Sequence, residues 1–355
     1  MLGIDARAAR YTWTAAFVLL LLWLLFLMRT TLFVFILALL FGYLLSPLVN
    51  VIDRFLPTSR TRTPALAIAY LIFVAVLFVA VTQIGSRVVD QANALAKSVP
   101  AWLGNWQQPS ASVTPGVNSF KAEVLQKVQE QIGKSSGDII AALPRAGAKI
   151  LSVASNVVYV VIIPILGFFF LKDGDVMRQL FLEMIENQPW RTLVDELLVD
   201  VNLLLAHYMR AILTLSLATF TSYSIFFSIL RVHYSILLAA LAATLEFIPM
   251  IGTLTAGVVI VIVTAASGGP VWSAIVFLVV YRVFQDYVLS PQLMRAGVQL
   301  HPLFVLFGVF AGAEIAGIPG AFLSVPVLAL IRIIYRRIRK ARTPRLTAIE
   351  PSQTL

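Results

Sequence analysis

Long, continuous apolar runs are the feature of this sequence that most restricts its fold. They lie at residues 13–28, 31–48, 65–84, 150–171 and 211–230. Each is close to the ~20 residues that a helix needs to cross about 30 Å of hydrocarbon. Strands of a transmembrane β-barrel would instead alternate between apolar and polar positions. Because the chain is also 59% hydrophobic and only 12% charged, the sequence predicts an all-α, polytopic integral membrane protein.

Basic residues indicate which side of the membrane each connection faces, because short cytoplasmic loops are rich in Lys and Arg. They cluster in three places, namely Arg7 and Arg10, then Arg54, Arg60 and Arg62, and finally "RRIRKARTPR" at 336–345. We expect all three segments on the cytoplasmic side, so the net charge of +10 is mostly a topology signal. Contact with anionic membrane lipids explains the basic tail better than nucleic acid does, and no nucleic-acid partner is expected.

Counting spans from a cytoplasmic N-terminus divides the chain into six segments. They are N-terminal transmembrane helices at 1–84, a soluble extracytoplasmic insertion at 85–149, a transmembrane helix at 150–171, cytoplasmic amphipathic helices at 172–210, a transmembrane core at 211–335 and a basic cytoplasmic tail at 336–355. In the insertion, apolar residues recur at helical spacing over 120–132 and predict an amphipathic helix. We expect this helix to pack on the membrane domain or on a neighbouring subunit. A cap that gates the substrate is the alternative.

Two further apolar runs, at 234–266 and 302–335, are interrupted by Pro and Gly. One uninterrupted span, at about 271–289, separates them. If that span crosses the membrane and the tail is cytoplasmic, each interrupted run must begin and end on the same side. The sequence therefore predicts two helical hairpins or re-entrant loops of opposite orientation, the first entering from outside and the second from inside.

The breaks in these two runs have similar chemistry. Pro249 and Pro319 each remove a backbone donor, while Gly252, Gly317 and Gly320 permit non-helical backbone. Such backbone is tolerated at membrane depth only where protein or a water-filled cavity surrounds it. Paired interrupted segments are a pointer to the binding region of a secondary transporter. A kink with a purely structural role is the alternative.

Ionisable residues inside the transmembrane core are candidates for function, because each is costly in hydrocarbon. Arg282 and Asp286 stand four residues apart on one predicted helix and could simply neutralise each other. Glu246 and Glu314 have no evident local partner and precede the two breaks, where a carboxylate can bind a cation or carry a proton. His301 is a candidate titrating group near neutral pH, with a helix-capping role as the alternative.

Catalytic chemistry has little support in the sequence. The chain has no cysteine, which excludes disulfides, thiolate metal sites and cysteine catalysis. We find no Ser/His/Asp spacing, phosphate-binding loop or metal-ligand cluster. An enzyme is therefore not expected, nor a cofactor or bound metal. An ion gradient or downhill flow would have to drive transport.

Four motifs distributed along the chain resemble one known family. They are "LLSPLV" (44–49), "FFFLKDGD" (168–175), "EFIPMIGTLTAGV" (246–258) and "QDYVLSPQLMRAGVQLHPLFVLFGVFAGAEIAGIPGAFLSVPVLALIR" (285–332). Together they are similar to the autoinducer-2 exporter family, also called PerM-like permeases, of bacterial inner-membrane transporters. The family's Ile-Pro-x-x-Gly pattern matches Ile248, Pro249 and Gly252, and its Gly-rich terminal hairpin matches the segment from Gly312 to Pro326.

This resemblance implies export of a small polar solute across the bacterial inner membrane by a homo-oligomer, with autoinducer-2 as the namesake substrate. Some members are reported as sodium/proton antiporters, so two mechanisms stay open. In one, Glu246 and Glu314 relay protons during solute export. In the other, the same carboxylates exchange Na⁺ or Li⁺ for H⁺. A third hypothesis is an envelope scaffold that transports nothing and binds partners through the insertion.

Overall fold

The structure, a computed structural model, describes residues 6–56, 63–106, 157–293 and 300–342. Over these ranges the chain is α-helical without strands, and six helices are long and apolar enough to cross a membrane. The helices are α1 (Ala6–Leu27), α2 (Arg29–Phe55), α3 (Thr63–Ala80), α4 (Ser86–Trp106), α5 (Val157–Glu183), α6 (Gln188–Ile229), α7 (Ser235–Leu245), α8 (Ile251–Ala266), α9 (Val271–Phe284), α10 (Ser290–Leu293) and α11 (Pro302–Arg342). The predicted all-α, polytopic membrane fold is thereby confirmed.

Two π-helical turns join successive helices into longer rods. One, at Val81–Gly85, connects α3 to α4, and the other, at Gln285–Leu289, connects α9 to α10. A π turn contains one residue more than an α turn, so it rotates the faces that follow it. The second turn contains Gln285, whose side chain is buried.

Helix α6 is the central element of the described structure. It begins at Gln188, where the Asn187 side chain accepts a hydrogen bond from the Trp190 backbone N–H at 3.2 Å and caps the helix. Its buried face recurs at helical spacing and contains Leu205, Tyr208, Ile212, Leu215, Thr219, Tyr223 and Phe227. The C-terminal half of this face packs on α7, α8 and α9, and the N-terminal half packs on α2 and α11.

The first interrupted run forms two helices, α7 and α8, that pack against one another around a buried core. Helix α7 has 11 residues, which corresponds to roughly 16 Å and is too short to cross a membrane of about 30 Å. At its end, Glu246 contacts Thr219, about ten residues or roughly 15 Å before the end of α6. The tip of this first hairpin therefore lies about halfway along the last 30 Å or so of α6, which is the length needed to cross a membrane.

The second interrupted run also reverses direction, inside α11. Ala316 (φ −138°) and Gly317 (φ +65°) have non-helical backbone angles. A Cβ atom on Gly320 would lie 2.0 Å from the carbonyl oxygen of Gly312. Residues eight apart in a straight helix are separated by about 12 Å along the axis, so this approach requires the chain to fold back. Residues 302–315 and 318–342 are thus the two arms of a second hairpin.

The two hairpins approach α6 from opposite ends. The first follows the C-terminal end of α6, after Ile229. The second ends beside the N-terminal part of α6, where the Arg337 guanidinium pairs with Glu196 and, at 2.7 Å, with Asp200. Which membrane face each end of α6 occupies stays a prediction.

Helix α4 brings the start of the predicted insertion against the first hairpin. The Gln91 side-chain oxygen accepts a hydrogen bond from the Leu237 backbone N–H at 2.9 Å, and the Ser98 and Tyr234 hydroxyls lie 3.1 Å apart. Leu95, between these two contacts, is buried in the same core as α6 and α7. The predicted amphipathic helix at 120–132 lies outside the described residues.

Candidate functional site

The tip of the first hairpin has a strained backbone. The Pro249 carbonyl accepts a hydrogen bond from the Ile251 N–H at 2.7 Å, and Met250 between them has φ +63° and ψ −58°. These angles define a γ-turn with positive φ, a conformation that costs of order 1–3 kcal/mol for a residue with a side chain. A Cβ atom on Gly252 would lie 1.9 Å from the Leu245 carbonyl oxygen, so only glycine fits there. Strain of this kind is concentrated at functional sites.

Glu246 lies at the start of this tip and is buried, with 9% of its surface exposed. Its Oε1 atom accepts a hydrogen bond from the Gln285 side-chain amide, and its Oε2 atom lies 3.4 Å from the Thr219 hydroxyl. Thr219 Oγ1 is also 3.1 Å from the hydroxyl oxygen of Tyr281. Three helical segments, from α6, the first hairpin and α9 with its π turn, therefore converge on one carboxyl group.

Sequence reasoning did not find the partners of Glu246. Thr219 lies within an ordinary apolar run, and Gln285 and Tyr281 lie within the span at about 271–289. The available signal was the presence of polar side chains inside predicted spans, since a buried polar group must find a hydrogen-bond partner. The structure shows that Thr219 and Gln285 are nearly completely buried, with 1% and 4% exposure.

Arg282 and Asp286 form the neutralising pair that their spacing suggested, with Nε and Oδ2 2.9 Å apart. Arg282 also donates a hydrogen bond from its guanidinium to Thr253 Oγ1 at 3.1 Å, which links α9 to α8. The two charged side chains are 43% and 45% exposed. Because exposed charges are costly against hydrocarbon, this pair indicates a surface that water or protein covers.

The second hairpin places its candidate residues elsewhere. Glu314 and Gly317 are exposed at the tip, beside Ile315 and Ile318, whereas Pro319 and Gly320 begin the returning arm and are half-buried. In the part of the chain that is described, Glu314 makes no hydrogen bond or ion pair with Glu246. The hairpins instead touch through the Phe247 and Phe322 rings, whose centroids are 5.7 Å apart.

His301 lies at the start of α11, far along the chain from either tip. Its Nδ1 atom accepts a hydrogen bond from the Leu303 backbone N–H at 3.2 Å, which is the capping arrangement that the sequence left open as the alternative. The structure therefore brings together Glu246, Pro249, Gly252, Arg282 and Asp286 around the first tip. It does not bring His301 or Glu314 into that group.

The carboxyl group of Glu246 is the chemical centre of this arrangement. Amide and hydroxyl donors suit its ionised form, and a hydroxyl can also accept a proton from its neutral form. Within the described ranges, no group of three or more His, Asp or Glu side chains is placed to hold a metal ion. The site can bind and release a proton or contact a polar solute.

An all-α fold in which two interrupted hairpins meet beside a buried carboxyl group has the features of a multi-pass membrane transport protein. Comparison of the sequence with protein families agrees with this class. The model described as "AI-2E family transporter" matches residues 14–340. The chain therefore belongs to the AI-2E transporter family, which is a transporter and permease family and not an enzyme class.

Individual relatives are named for transport. The chain is 21% identical over 304 residues to "Putative transport protein YueF" of Bacillus subtilis (strain 168), covering 83% of this chain and 81% of the relative. It is 23% identical over 315 residues to "Putative permease PerM" of Escherichia coli (strain K12), covering 83% and 87%. These similarities extend over most of both chains and support a general transport role.

Proposed function

We propose that this protein is a secondary transporter that exports a small polar solute, of the class of autoinducer-2-like signalling molecules or metabolites, across the bacterial inner membrane. Glu246 carries the proton that couples the solute to the proton gradient. The N- and C-termini lie in the cytoplasm, and the protein works as a homo-oligomer in contact with membrane lipids.

The observation that carries this proposal is the buried Glu246 carboxyl group at a non-helical break. An ionisable group at membrane depth is retained where it faces a transport pathway or a partner. Here the nearest partners are neutral, since Thr219 and Gln285 supply hydrogen bonds but no charge. The neighbouring Arg282 guanidinium is already bonded to Asp286 and Thr253. A carboxyl group held in this way is suited to change its own charge during a transport cycle.

The half-exposed Arg282–Asp286 pair supports a polar pathway beside this carboxyl group. The pair lies on the turn of helix that also presents Gln285 to Glu246. A solute passing along this surface would meet a guanidinium, a carboxylate and the Thr253 hydroxyl. These groups suit a molecule rich in hydroxyl or carbonyl groups. The proposal of export across the inner membrane rests on the family resemblance.

Proton flux in reconstituted vesicles tests the proposal. The vesicles contain a pH-sensitive dye and receive a panel of small polar metabolites that includes autoinducer-2, and then Na⁺, Li⁺ and K⁺. The variants are Glu246→Gln and Glu314→Gln, with Glu186→Gln as a matched control because Glu186 is an exposed carboxylate on the connection between α5 and α6. We expect an organic solute to drive a proton flux that Glu246→Gln abolishes and Glu186→Gln retains.

Other outcomes would select the remaining hypotheses. A proton flux driven by Na⁺ or Li⁺ and by no organic solute would make the protein a cation/proton antiporter at the same carboxyl group. Solute movement with no proton flux, retained in Glu246→Gln, would overturn the coupling role of Glu246. If correctly inserted protein gives no proton flux and no solute movement in any assay, the envelope-scaffold hypothesis would be favoured.

A further inference from the structure

The polar cluster at Glu246 contains a short chain of hydroxyl groups. Tyr281 Oη lies 3.1 Å from Thr219 Oγ1, and either oxygen can be the donor in this contact. Thr219 Oγ1 lies in turn 3.4 Å from Glu246 Oε2. The other carboxyl oxygen, Oε1, accepts from the Gln285 amide. Each oxygen of the carboxyl group therefore has its own partner, an amide on one side and a hydroxyl chain on the other.

We propose that Thr219 and Tyr281 form a reversible hydrogen-bond chain that lets the buried Glu246 carboxyl group exist with and without a proton, while Gln285 holds the group in position. This inference rests on the proposed function and deepens it, because it names the residues that let Glu246 take up and release its proton. Thr219, Tyr281 and Gln285 are positioning residues in this proposal, since they act through Glu246.

The chain can satisfy both charge states without moving a heavy atom. When Glu246 is ionised, Tyr281 donates to Thr219, Thr219 donates to Oε2 and Gln285 donates to Oε1. When a proton binds at Oε2, the new O–H donates to Thr219 Oγ1, and Thr219 turns its own proton towards Tyr281 Oη. The Tyr281 hydroxyl proton then turns towards Ser222, the other hydrogen-bond partner of Tyr281. Gln285 keeps donating to Oε1, which is then the carbonyl oxygen. One proton is added to one oxygen, and no other covalent bond changes.

Because the site is buried, it matters that these hydrogen bonds can reverse direction when Glu246 gains or loses its proton. A buried donor or acceptor without a partner costs about 1–3 kcal/mol, and more if it is charged. Thr219 and Glu246 are 1% and 9% exposed, so solvent offers little replacement for a lost bond. A side chain that could only donate would satisfy the ionised form and leave the protonated form unpaired. A hydroxyl group satisfies both, because it donates and accepts.

The same geometry argues against a bound sodium or lithium ion at this position. A hard cation needs several oxygen atoms converging on it with free lone pairs. Here an N–H donor and an O–H group point at the two carboxyl oxygens. The titratable and charged side chains around Glu246 in the described structure are Tyr223 on α6 and Tyr281, Arg282 and Asp286 on α9 and its π turn. Asp286 Oδ2 is paired with the Arg282 guanidinium, whose positive charge opposes a second cation there.

The test observes the Glu246 proton directly. Infrared difference spectra of purified, reconstituted protein are recorded across a pH series. The C=O stretching band of protonated Glu246 is identified by its absence in Glu246→Gln. The main variant is Thr219→Val, which keeps the size of the side chain and removes its hydroxyl group. Thr219→Ser restores a hydroxyl group. Ser216→Ala is the matched control, because Ser216 lies one turn before Thr219 on α6 and donates its hydrogen bond to the Ala243 carbonyl instead of to Glu246.

We expect the titration midpoint of this band to move to higher pH by about one unit in Thr219→Val. Both forms lose a partner, but the ionised form loses more, because a hydrogen bond to a charged group is stronger than one to a neutral group. Thr219→Ser and Ser216→Ala should titrate like the unmodified protein. Tyr281→Phe, which removes the end of the chain, should shift the midpoint in the same direction by a smaller amount. It also serves as the test if Thr219→Val does not fold, as judged by size-exclusion chromatography.

The outcomes separate this inference from the proposed function. An unchanged midpoint in folded Thr219→Val or Tyr281→Phe would overturn the hydrogen-bond chain, whatever the vesicles show. A shifted midpoint without any proton flux in the unmodified protein would uphold the chain and overturn proton-coupled transport. If the hydrogen-bond chain and proton-coupled transport are both upheld, the pH profile of solute-driven flux should shift with the spectroscopic midpoint in each variant.

Discussion

At the scale of single residues, Gly252 shows how little space the first tip allows. Replacing it with Ala would place a Cβ atom 1.9 Å from the Leu245 carbonyl oxygen, and backbone cannot move aside as a flexible side chain can. We expect Gly252→Ala to destabilise the protein by about 1–3 kcal/mol and to displace Glu246. Thermal unfolding followed by tryptophan fluorescence in detergent would measure the first effect, and the pH-dye assay the second.

Gly257 provides the matched control on the same helix. Apart from the adjoining backbone of its own helix, no heavy atom lies within 4 Å of the position its Cβ would take. Gly257→Ala should therefore leave stability unchanged or raise it by about 0.5–1 kcal/mol, because Ala is the better helix former. Equal losses from the two substitutions would contradict the close approach seen at Gly252.

Residues at the breaks were easier to predict than their partners. Pro249 and Gly252 interrupt an apolar helix pattern and are visible in the sequence alone, and Glu246 stands out as a charge among apolar residues. Thr219 and Gln285 carry no charge and interrupt nothing, so only the packing of α6 and α9 against the tip reveals their role. The strain at Met250 was equally unpredictable, because a methionine in the sequence gives no indication of a positive φ.

At the scale of helices, the cap that α4 supplies to α7 can be tested. The Leu237 N–H lies in the first turn of α7, where no carbonyl of the same helix can accept from it, and Gln91 accepts instead. We expect Gln91→Ala to lower the free energy of unfolding by about 1 kcal/mol. Gln83→Ala, at an exposed position in the preceding π turn, should have little effect in the same thermal assay.

The fold-back of α11 makes a second prediction about helices. The Gly312 and Gly320 backbones approach so closely that a Cβ on either would lie 2.3 Å or 2.0 Å from the carbonyl oxygen of the other. We expect Gly312→Ala and Gly320→Ala each to destabilise the protein by about 1–3 kcal/mol. Gly174→Ala on α5 is the control, since nothing lies within 4 Å of that position. A straight α11 would tolerate all three substitutions alike.

Helix ends were the least predictable feature at this scale. The sequence placed the end of one span at residue 171, where charged residues begin, but α5 continues as a helix to Glu183. A helix can continue its backbone hydrogen bonds past the point where its apolar residues stop, so the end of an apolar run does not mark the end of the helix. Likewise, α3 continues through a π turn into α4, although the predicted insertion was expected to start at residue 85.

At the scale of the whole molecule, the opposite placement of the hairpins predicts a topology. The chain lacks cysteine, so single cysteines can be introduced and labelled with a membrane-impermeant maleimide in intact cells. His233→Cys and Ser267→Cys lie at the two ends of the first hairpin and should label from outside. His301→Cys, at the start of the second hairpin, should label only after the membrane is permeabilised. Labelling of His233→Cys and His301→Cys from the same side would contradict the inverted arrangement.

Helix α6 contacts both hairpins, since Thr219 meets the first tip and the Glu196–Asp200 segment holds the end of the second. It also packs against α2 over its N-terminal half. Because α6 is held by contacts at three places, it is a suitable fixed reference for measuring how far each hairpin moves. Spin labels on its exposed face, paired with a label on either hairpin, would report the movement of each hairpin as a distance from a common reference.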